Sequence, residues 1–494
     1  MVGNDRESAA VARPSRRSLL AATASATVGA TAVAGCLGRG QPEDTVVMTG
    51  NTDIADAMHA DEGTSIHEAL RSAGLDEDIT VEVRTGVDDS SQRMRSAQSA
   101  LQSGRAPPDI FRMDCGWTIP FILREQTVPL ADHLPGDLLD EVESAYLEAA
   151  LETARHPETG ELHGLPLFVD FGTMLYRKDL VADAGFDPGG WATEPPSWQR
   201  FSEVVAETRD DADVQYGFTT QAAPYEGLAC CSFTELMTTW GGSYFNGTEN
   251  LFSAGDREVT VADEPVLDAV RMMRSFIDGE DADYALDGYR KICPSSIVQW
   301  TEPESLGPFT AGDAVAHRNW PFSINEAGGE EAFGEDLGVM PMPYAVSESE
   351  AEHPGTGGTA AALGGWHLTI NPYTEKLDRV TQVLEAFATE EVMLAVFEQL
   401  GYLPPVLDLV QQADADQIGP MARYTEQIQI AGENAVSRPV TDVWPEQASV
   451  IAREVHAAFR GEGPPERIMA DLADRIRRSE AAVAEGNGGS DDGD

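Results

Sequence analysis

The sequence has 494 residues, of which 42% are hydrophobic, and it carries 84 acidic against 33 basic residues for a formal net charge of -51. This length exceeds one ordinary core, so two domains or lobes are expected. The acidic residues are spread along the whole chain, which excludes nucleic acid as a partner, because duplex binding needs basic patches. A dispersed acidic surface poor in lysine suits high salt, where counterions screen the self-repulsion. We therefore interpret the chain as a halophile's protein.

The N-terminus has the pattern of an export signal. Residues 15–20 (SRRSLL) contain a twin-arginine pattern, and a run of Ala, Thr and Val follows over residues 21–34. That run is short and rich in small residues, as in the apolar region of a signal peptide. Small residues directly before Cys36 resemble a lipobox. We therefore predict a signal peptide over 1–35 and a lipid on Cys36, with a coincidental cysteine as the alternative. Residues 36–44 are predicted to form a tether.

The first part of the mature chain has an α/β pattern. Short apolar runs predict strands over Thr45–Thr49, Ile79–Arg84 and 107–114, and polar segments of helical character lie between them. Strand, helix and strand with crossovers of this length favour parallel pairing. The loop that begins at Asp114 would then lie at the carboxyl end of a strand, where ligands bind in open α/β sheets.

The middle of the chain predicts further strands and amphipathic helices. Residues 163–178 form a continuous apolar run that Asp170 interrupts, and a carboxylate in such a run is costly unless something pairs with it. A strand is also predicted over Val259–Ala262 and a helix over Glu264–Asp278. Later helices are predicted over 377–388, 391–400, 448–460 and 465–484, and the composition of 486–494 predicts a disordered tail.

One stretch near residue 366 combines small residues with a large aromatic. Gly364 and Gly365 precede Trp366, and a short strand pattern follows up to an Asn-Pro stop. Glycines let the backbone come close to whatever lies on the indole ring, which offers a flat apolar face. The alternative is a buried strand with a packed tryptophan.

Metal and cysteine patterns are uninformative. No Cys-x-x-Cys or His-x-x-x-His spacing occurs, so no metal and no cofactor are expected, although the sequence leaves open whether calcium binds. The pairing of Cys115, Cys230, Cys231 and Cys293 cannot be assigned from the sequence.

Several segments, taken in order, resemble the extracellular solute-binding proteins of sugar ABC importers, of the maltose/trehalose-binding type, here as a haloarchaeal twin-arginine lipoprotein. The matching segments are PPDIFRMDCGW (107–117), HGLPLFVDFGTMLYRKDL (163–180), WGGSYFN (240–246), FTAGDAVAHRNWP (309–321), the glycine-rich stretch within 357–372 and GYLPP (401–405). The resemblance implies a two-lobe α/β fold of the periplasmic-binding-protein type with a hinged cleft. It places the N-lobe at 45–168 plus 367–402 and the C-lobe at 169–366 plus 403–485, with chain crossings near Val169–Asp170, Trp366 and Leu403.

A neutral sugar presents apolar ring faces and a rim of hydroxyls, so its binder needs flat aromatics and charged hydrogen-bonding groups. The candidates for the hydroxyls are Asp114, Asp170, the backbone N–H of Gly365 and, mostly from the resemblance, Arg438. The candidates for the ring faces are Trp117, Tyr225, Trp240, Trp320, Trp366 and, mostly from the resemblance, Trp444. Asp170 as a structural carboxylate and Trp240 as a core residue are the alternatives left open.

The expected function is therefore binding without catalysis. The chain is predicted to be a monomeric, lipid-anchored protein on the outer face of the membrane that delivers a di- or oligosaccharide, such as maltose or trehalose, to ABC permease subunits. One alternative is a secreted glycoside hydrolase that uses Asp114 and Asp170 as its carboxylate pair. Another is a binder of a different solute, such as a polyol phosphate, although the sequence shows no arginine cluster or glycine-rich helix start for a phosphate.

Overall fold

Two β-sheets organise the chain. The computed structural model describes residues 42–61, 63–86, 90–252, 254, 255 and 257–488. The strands are β1 Thr45–Gly50, β2 Thr80–Thr85, β3 Ile110–Asp114, β4 Gly164–Phe171, β5 Thr173–Arg177, β6 Tyr216–Thr219, β7 Ala314–Asn319, β8 Leu337–Met340, β9 Ala361–Ile370 and β10 Ala435–Val436. The predicted signal peptide with its twin-arginine pattern, Cys36 and residues 489–494 of the predicted tail lie outside the described residues.

The first sheet has the strand order β10-β9-β3-β1-β2, and β4 also pairs with β9. Strand β1 runs parallel to β2 and to β3, which confirms the parallel strand–helix–strand pattern predicted for this part of the chain. Val46, Val47 and Met48 are fully buried, as expected for an inner strand of a parallel sheet that is covered on both faces. Strand β9 runs antiparallel to both β3 and β4, so it lies between the two segments that carry Asp114 and Asp170.

The second sheet has the order β6-β7-β5-β8, and the chain enters it directly from the first sheet. Only Gly172 separates β4 from β5. A Cβ atom on Gly172 would lie 1.7 Å from Glu235 Oε1. Glu235 accepts a 2.7 Å hydrogen bond from Arg318 Nε, and both side chains are 3% exposed. Glycine is therefore required here, because any side chain would displace this buried ion pair from the crossing.

The three segments expected to cross between lobes lie side by side. Val169 pairs with Gly365, and its N–H donates to the carbonyl oxygen of Leu403 at 2.9 Å. The predicted lobe boundaries at 168/169 and 366/367 both fall inside strands, β4 and β9, of the first sheet. A division at those residues therefore cuts two strands of one sheet, whereas Gly172 lies between the sheets.

Helices pack around both sheets. Helix Ile66–Ser72 begins with a capping box, in which Ser65 Oγ accepts from the Glu68 N–H at 3.3 Å and the Glu68 carboxylate accepts from the Ser65 N–H. The α-helices are Thr52–Ala57, Ile66–Ser72, Ser90–Gln102, Thr118–Ile122, Gly136–Ala145, Glu148–Glu152, Lys178–Asp183, Trp198–Ala212, Phe233–Thr239, Glu264–Asp278, Glu302–Thr310, Phe322–Gly328, Leu377–Phe387, Glu390–Leu400, Ala415–Ile418, Thr425–Glu433, Trp444–Phe459 and Pro465–Gly488.

The predicted strand over Val259–Ala262 is wrong: the Thr260 N–H donates to the Tyr244 carbonyl in a loop, and no described strand pairs with this segment.

The hydrophobic core is divided between the two sheets. One large cluster surrounds the first sheet and another surrounds the second, while a third, with Val169, Phe171 and Leu403, lies where the chain crosses. The described residues from Asp44 onward belong to one compact unit. Within the described ranges, no helix combines the length and apolar character that a bilayer span requires.

Candidate ligand-binding site

A cavity of about 420 Å³ lies where elements of both sheets meet. Asp114 ends β3 and Trp366 lies on β9 of the first sheet, whereas Trp320 directly follows β7 of the second. Residues predicted as ligand contacts that line this cavity are Asp114, Asp170, Tyr225, Trp320, Gly365, Trp366 and Arg438. The fold thus brings together side chains that are more than 300 residues apart in the sequence.

Trp366 is a half-buried ring held by charged and aromatic neighbours. It pairs with Asp114 across β3 and with Phe168 across β4. The guanidinium carbons of Arg112 and Arg93 lie 4.3 and 5.1 Å from the ring centroid, within the range of cation–π attraction. These contacts fix the indole in place without apolar burial of the whole ring, so part of it still lines the cavity.

The two glycines before this tryptophan allow a close approach from both sides. Gly365 has a φ of 133°, and a Cβ atom there would lie 2.5 Å from the carbonyl oxygen of Phe168. A Cβ atom on Gly364 would lie 3.2 Å from the ring of Trp320 and 3.2 Å from Asp170. Any larger residue would push β4 or the second indole away. The glycine pair therefore sets the spacing between the two aromatic rings and the carboxylate.

Arg438 supplies positive charge to the cavity between two carboxylates. Its Nη1 lies 3.4 Å from Asp114 Oδ1 and 3.5 Å from Glu226 Oε1, and its side chain is only 6% exposed. A Cβ atom on Gly116 would lie 2.4 Å from the same Nη1, so this glycine leaves the space that the guanidinium fills. Asp114 also accepts a 2.7 Å hydrogen bond from the Gly116 N–H. Charge-assisted contacts of this kind orient both groups toward a polar ligand.

Asp170 has a different environment from Asp114. Asp170 lies on β4 and pairs with Gly364 of β9. Burial raises the pKa of its carboxyl to about 7. On the other side of the cavity the Tyr225 hydroxyl donates to Glu302 Oε1 at 2.7 Å. Burial, and then the charge of Glu302, raise the pKa of this tyrosine, which stays a neutral donor. The rim therefore offers carboxylates, a guanidinium and a phenol hydroxyl, the groups that bind sugar hydroxyls.

The structure places the remaining predicted tryptophans away from the cavity. Trp117 is 2% exposed and meets the edge of Trp366 in a T-shaped contact at 6.0 Å, so it supports that ring from behind. Trp444 is fully buried against Tyr244, and Trp240 packs in the same core with its N–H directed at the sulfur of Met272. As direct ligand contacts these assignments are therefore corrected: Trp117 supports the site, Trp444 is a core residue, and Trp240 is half-buried against the core and does not line this cavity.

Other lining residues were not identified from the sequence. Glu226 and Gly227 directly follow Tyr225, so their position beside a predicted contact was the available signal. Ser90 and Glu302 carry no sequence signal. Cys230 and Cys231 also line the cavity, and burial raises the pKa of Cys230. The described cysteines Cys115, Cys230, Cys231 and Cys293 are all buried and free of disulfides.

A second cavity lies beside the first and is lined with arginines. It has about 310 Å³ and contains the side chains of Arg84, Arg93, Arg105 and Arg112, of which Arg93 and Arg112 also contact Trp366. The sequence shows no arginine cluster, but β2, β3, helix Ser90–Gln102 and the loop before β3 bring these arginines together from separate positions. A larger cavity of about 770 Å³, near Thr238 and Ala435, is lined by carboxylates without tryptophan, tyrosine or arginine.

Comparisons with protein families and with curated proteins show the family of this chain. The family model described as bacterial extracellular solute-binding protein matches residues 68–421. The chain is 24% identical over 361 residues to a probable ABC transporter-binding protein of Deinococcus radiodurans, a match that covers 72% of this chain and 74% of that protein.

Solved structures share the fold at low sequence identity. A maltose-bound MalE3 of T. maritima aligns with a TM-score of 0.67 and 23% identity, over 88% of this chain and 99% of that one. A solute-binding protein of Agrobacterium vitis with bound D-mannitol aligns with a TM-score of 0.64 and 14% identity, over 89% and 98% of the two chains. At these identities the likeness shows the fold, a two-lobe α/β binding-protein architecture.

Proposed function

The chain belongs to the bacterial extracellular solute-binding protein family, and we propose that it binds a neutral sugar or related polyol for an ABC importer. The observation that carries this proposal is the cavity between the two sheets, where Trp366 and Trp320 meet the carboxylates Asp114 and Asp170. Aromatic faces match the C–H faces of a sugar ring, and charged acceptors match its hydroxyls.

The size and placement of the cavity support a small carbohydrate. Its volume of about 420 Å³ lies within the range of about 300–1,000 Å³ that is usual for small-molecule sites. A ligand there would contact Trp366 from the first sheet and Trp320 from the second at once. Contact with both halves is what allows a ligand to stabilise a closed arrangement. A di- or oligosaccharide such as maltose or trehalose is the proposed ligand class, and maltose is what the similar MalE3 structure holds.

The proposal extends to where the protein works. The twin-arginine pattern and the cysteine at residue 36 support export and lipid anchoring at the outer face of the membrane. The anchored binder, a monomer in this proposal, would hand its ligand to the transmembrane permease subunits. Replacement of Cys36 by Ser should release the protein into the medium or block its processing, as fractionation and immunoblotting would show. Unchanged membrane association would refute the anchor.

Glycoside hydrolysis is the second candidate function, and one observation favours it. Asp170 has a carboxyl pKa raised to about 7, whereas Asp114 lies beside Arg438, which is the kind of contrast that an acid and base pair requires. Against hydrolysis, the curated relative of Deinococcus radiodurans is named as a binding protein. We therefore propose that the chain is not an enzyme and that Asp170 serves binding.

A phosphorylated sugar is the third candidate. The arginines that line the neighbouring cavity, Arg84, Arg93, Arg105 and Arg112, supply the cationic groups that such a ligand needs. Two of them, Arg93 and Arg112, lie over the ring of Trp366, so a sugar beside this ring could extend a phosphate toward them. The neutral sugar remains the better proposal, since the cavity shared by both sheets holds Asp114, Asp170, Glu226 and Glu302.

One experiment separates the three candidates. Purified protein in high salt is titrated with maltose, trehalose, mannitol and glucose 6-phosphate by isothermal titration calorimetry, and each mixture is then analysed for products by chromatography. The expected result is saturable binding of a neutral sugar or polyol with no product. Product formation would overturn the binding role in favour of hydrolysis. Binding of the phosphorylated sugar alone would overturn the assignment of a neutral ligand.

A further inference from the structure

Three potential metal ligands meet on the surface of the second half of the chain, away from the sugar cavity. They are Asp263, Glu352 and His353, and their ligand atoms all lie within 4.8 Å of one another. Glu352 and His353 belong to the segment between β8 and β9, whereas Asp263 is the N-cap residue of helix Glu264–Asp278. The cluster therefore joins a long connection to the start of a helix.

His353 is the residue that distinguishes this cluster from a chance group of acids. Its ring is 4% exposed, and its Nε2 has no hydrogen-bond partner among the described residues. That nitrogen lies 3.6 Å from Asp263 Oδ2, which is too far for a hydrogen bond. A buried ring nitrogen that is aimed at a carboxylate without bonding to it needs a proton or a cation between the two groups.

The hydrogen bonds of the ring show which of its two nitrogens is left for a ligand. The amide nitrogen of Asn246 donates to the carboxylate of Glu258 at 2.8 Å, so the amide oxygen faces His353 Nδ1 at 3.1 Å. That oxygen is an acceptor, so Nδ1 donates to it and Nε2 is the ring nitrogen left to bind a cation. The arrangement is the one usual for a metal-ligating histidine, whose second nitrogen donates to an oxygen that orients the ring.

Asp263 also has an unused carboxylate. Aspartate at an N-cap position normally accepts from the first backbone N–H groups of the helix, but the Asp263 side chain makes no such bond. Instead its carboxylate faces His353.

We propose that Asp263, Glu352 and His353 bind a divalent transition-metal cation of the zinc class. For ligands about 2.0–2.2 Å from a tetrahedral zinc ion, neighbouring donor atoms lie about 3.3–3.6 Å apart. The 3.6 Å between His353 Nε2 and Asp263 Oδ2 agrees with this spacing. Glu352 is exposed and can rotate toward the ion, and water completes the coordination. One imidazole and two carboxylates favour zinc or manganese over calcium, which prefers oxygen ligands alone.

The cation would tie the connection before β9 to the helix that starts at Glu264. Backbone bonds already join this connection to the segment that precedes the helix, since the His353 N–H donates to the carbonyl oxygen of Gly241 at 3.2 Å and the Thr248 N–H donates to that of Pro354 at 3.1 Å. Because β9 carries Trp366, metal binding would order the segment that leads into the sugar cavity without lining it. The inference stands apart from the proposed function, since none of its residues contacts that cavity.

The test uses the full mature protein after treatment with EDTA. Zn²⁺ is titrated in competition with a chromogenic chelator, and Co²⁺ is added separately as a spectroscopic probe. We expect one ion per chain with micromolar or tighter affinity, a visible Co²⁺ absorption band and a rise in Tm of at least about 2 °C with zinc. His353→Gln should weaken binding at least tenfold and abolish the Co²⁺ band.

A second variant and a control keep the outcome clear. Asp263→Asn, at a residue that does not cap its helix, should weaken binding by a similar factor even if the histidine variant folds poorly. Glu330→Gln, an exposed carboxylate elsewhere, should leave the affinity unchanged. Binding that survives in both site variants, or weak millimolar binding equal in all proteins, would overturn the proposal, because the acidic surface would then be the source.

Discussion

Replacing Asp170 by Asn tests whether the ionised Asp170 carboxylate destabilises the folded protein and strengthens ligand binding. Burial raises the pKa of this carboxyl from its usual 3.8 to about 7. Between these pH values the folded protein holds a proton that the unfolded chain releases, so stability falls as the pH rises through this window. Above pH 7 the loss of folding stability that burial of the ionised carboxylate causes has reached its full size. Below pH 3.8 the carboxyl is protonated in both the folded and the unfolded state, and this loss is absent.

The size of the effect follows from the same two pKa values. A shift of about three units at roughly 1.4 kcal/mol per unit gives an upper limit of roughly 4 kcal/mol. The carboxylate lines a cavity that water can enter, so we expect roughly 2–4 kcal/mol. An amide has nearly the same shape and does not ionise. Asp170→Asn should therefore raise the free energy of unfolding at pH 8 by this amount, and the gain should be at most about half as large at pH 5.

The measurement is urea unfolding followed by tryptophan fluorescence at constant high salt, at pH 8, 6.5 and 5. The exposed Asp281→Asn serves as the matched control and should show no pH-dependent difference from the unchanged protein. The same Asp170 variant should bind the proposed sugar at least tenfold more weakly, because a neutral amide is a poorer acceptor for a hydroxyl than a carboxylate. A stability difference that is the same at all three pH values would refute the reasoning.

Further predictions concern the ring of Trp366, the space that Gly116 leaves for Arg438, and the buried ion pair of Arg318 at the chain crossing. Trp366→Ala should lower sugar affinity at least tenfold in calorimetry while the ligand-free protein still melts cooperatively; a collapse of melting would show that the ring is a core residue. Gly116→Ala should lower affinity about tenfold, since its Cβ would lie 2.4 Å from Arg438 Nη1, whereas Gly136→Ala, in open space, should have no effect on the same titration. Arg318→Met should destabilise the fold by about 3–5 kcal/mol in urea unfolding, because it leaves its buried carboxylate partner unpaired; a loss below about 1 kcal/mol would contradict this.

Local patterns predicted those features of the fold that depend on local chemistry. The apolar runs that became β1, β2 and β3 lie where the periodicity placed them, and their parallel pairing follows from the length of the crossovers. Helix Glu264–Asp278 was predicted with the bounds that the structure has, since its apolar residues Val266, Val270, Met273 and Ile277 recur at helical spacing. The extended segment Val259–Ala262 shows the limit, because the same β-branched residues serve equally well in a loop that packs on a core.

The site could be predicted where a residue ended a strand, but not where the burial of a side chain in the folded protein decided its role. Asp114 could be assigned to the cavity because it ends β3 and strand ends of open sheets face ligands, whereas Trp366 lies inside β9 and reaches the cavity by pairing with Asp114. Trp444 has the same side chain as Trp366, and only the packing of helices from distant parts of the chain buries it. Four arginines on β2, helix Ser90–Gln102, β3 and the loop before β3 likewise gather through tertiary structure, which no spacing along the chain records.

The glycine pair before Trp366 links these observations, because its missing side chains serve both binding and the connection between sheets. The space at Gly364 is filled by the ring of Trp320 and by Asp170, which come from segments of different sheets. The space at Gly365 is filled by the backbone of Phe168 and Val169 on β4, four and three residues before Gly172, where the chain leaves for the second sheet. A ligand that contacts the ring of Trp366 or Trp320 would therefore also affect β4 and β9, the strands beside the crossing between the sheets. For the proposed sugar binder, which would close on its ligand, contact between the sugar and these rings is expected to change the geometry of the crossing between the sheets. Binding and hinge geometry would then depend on the same few atoms around Gly364 and Gly365.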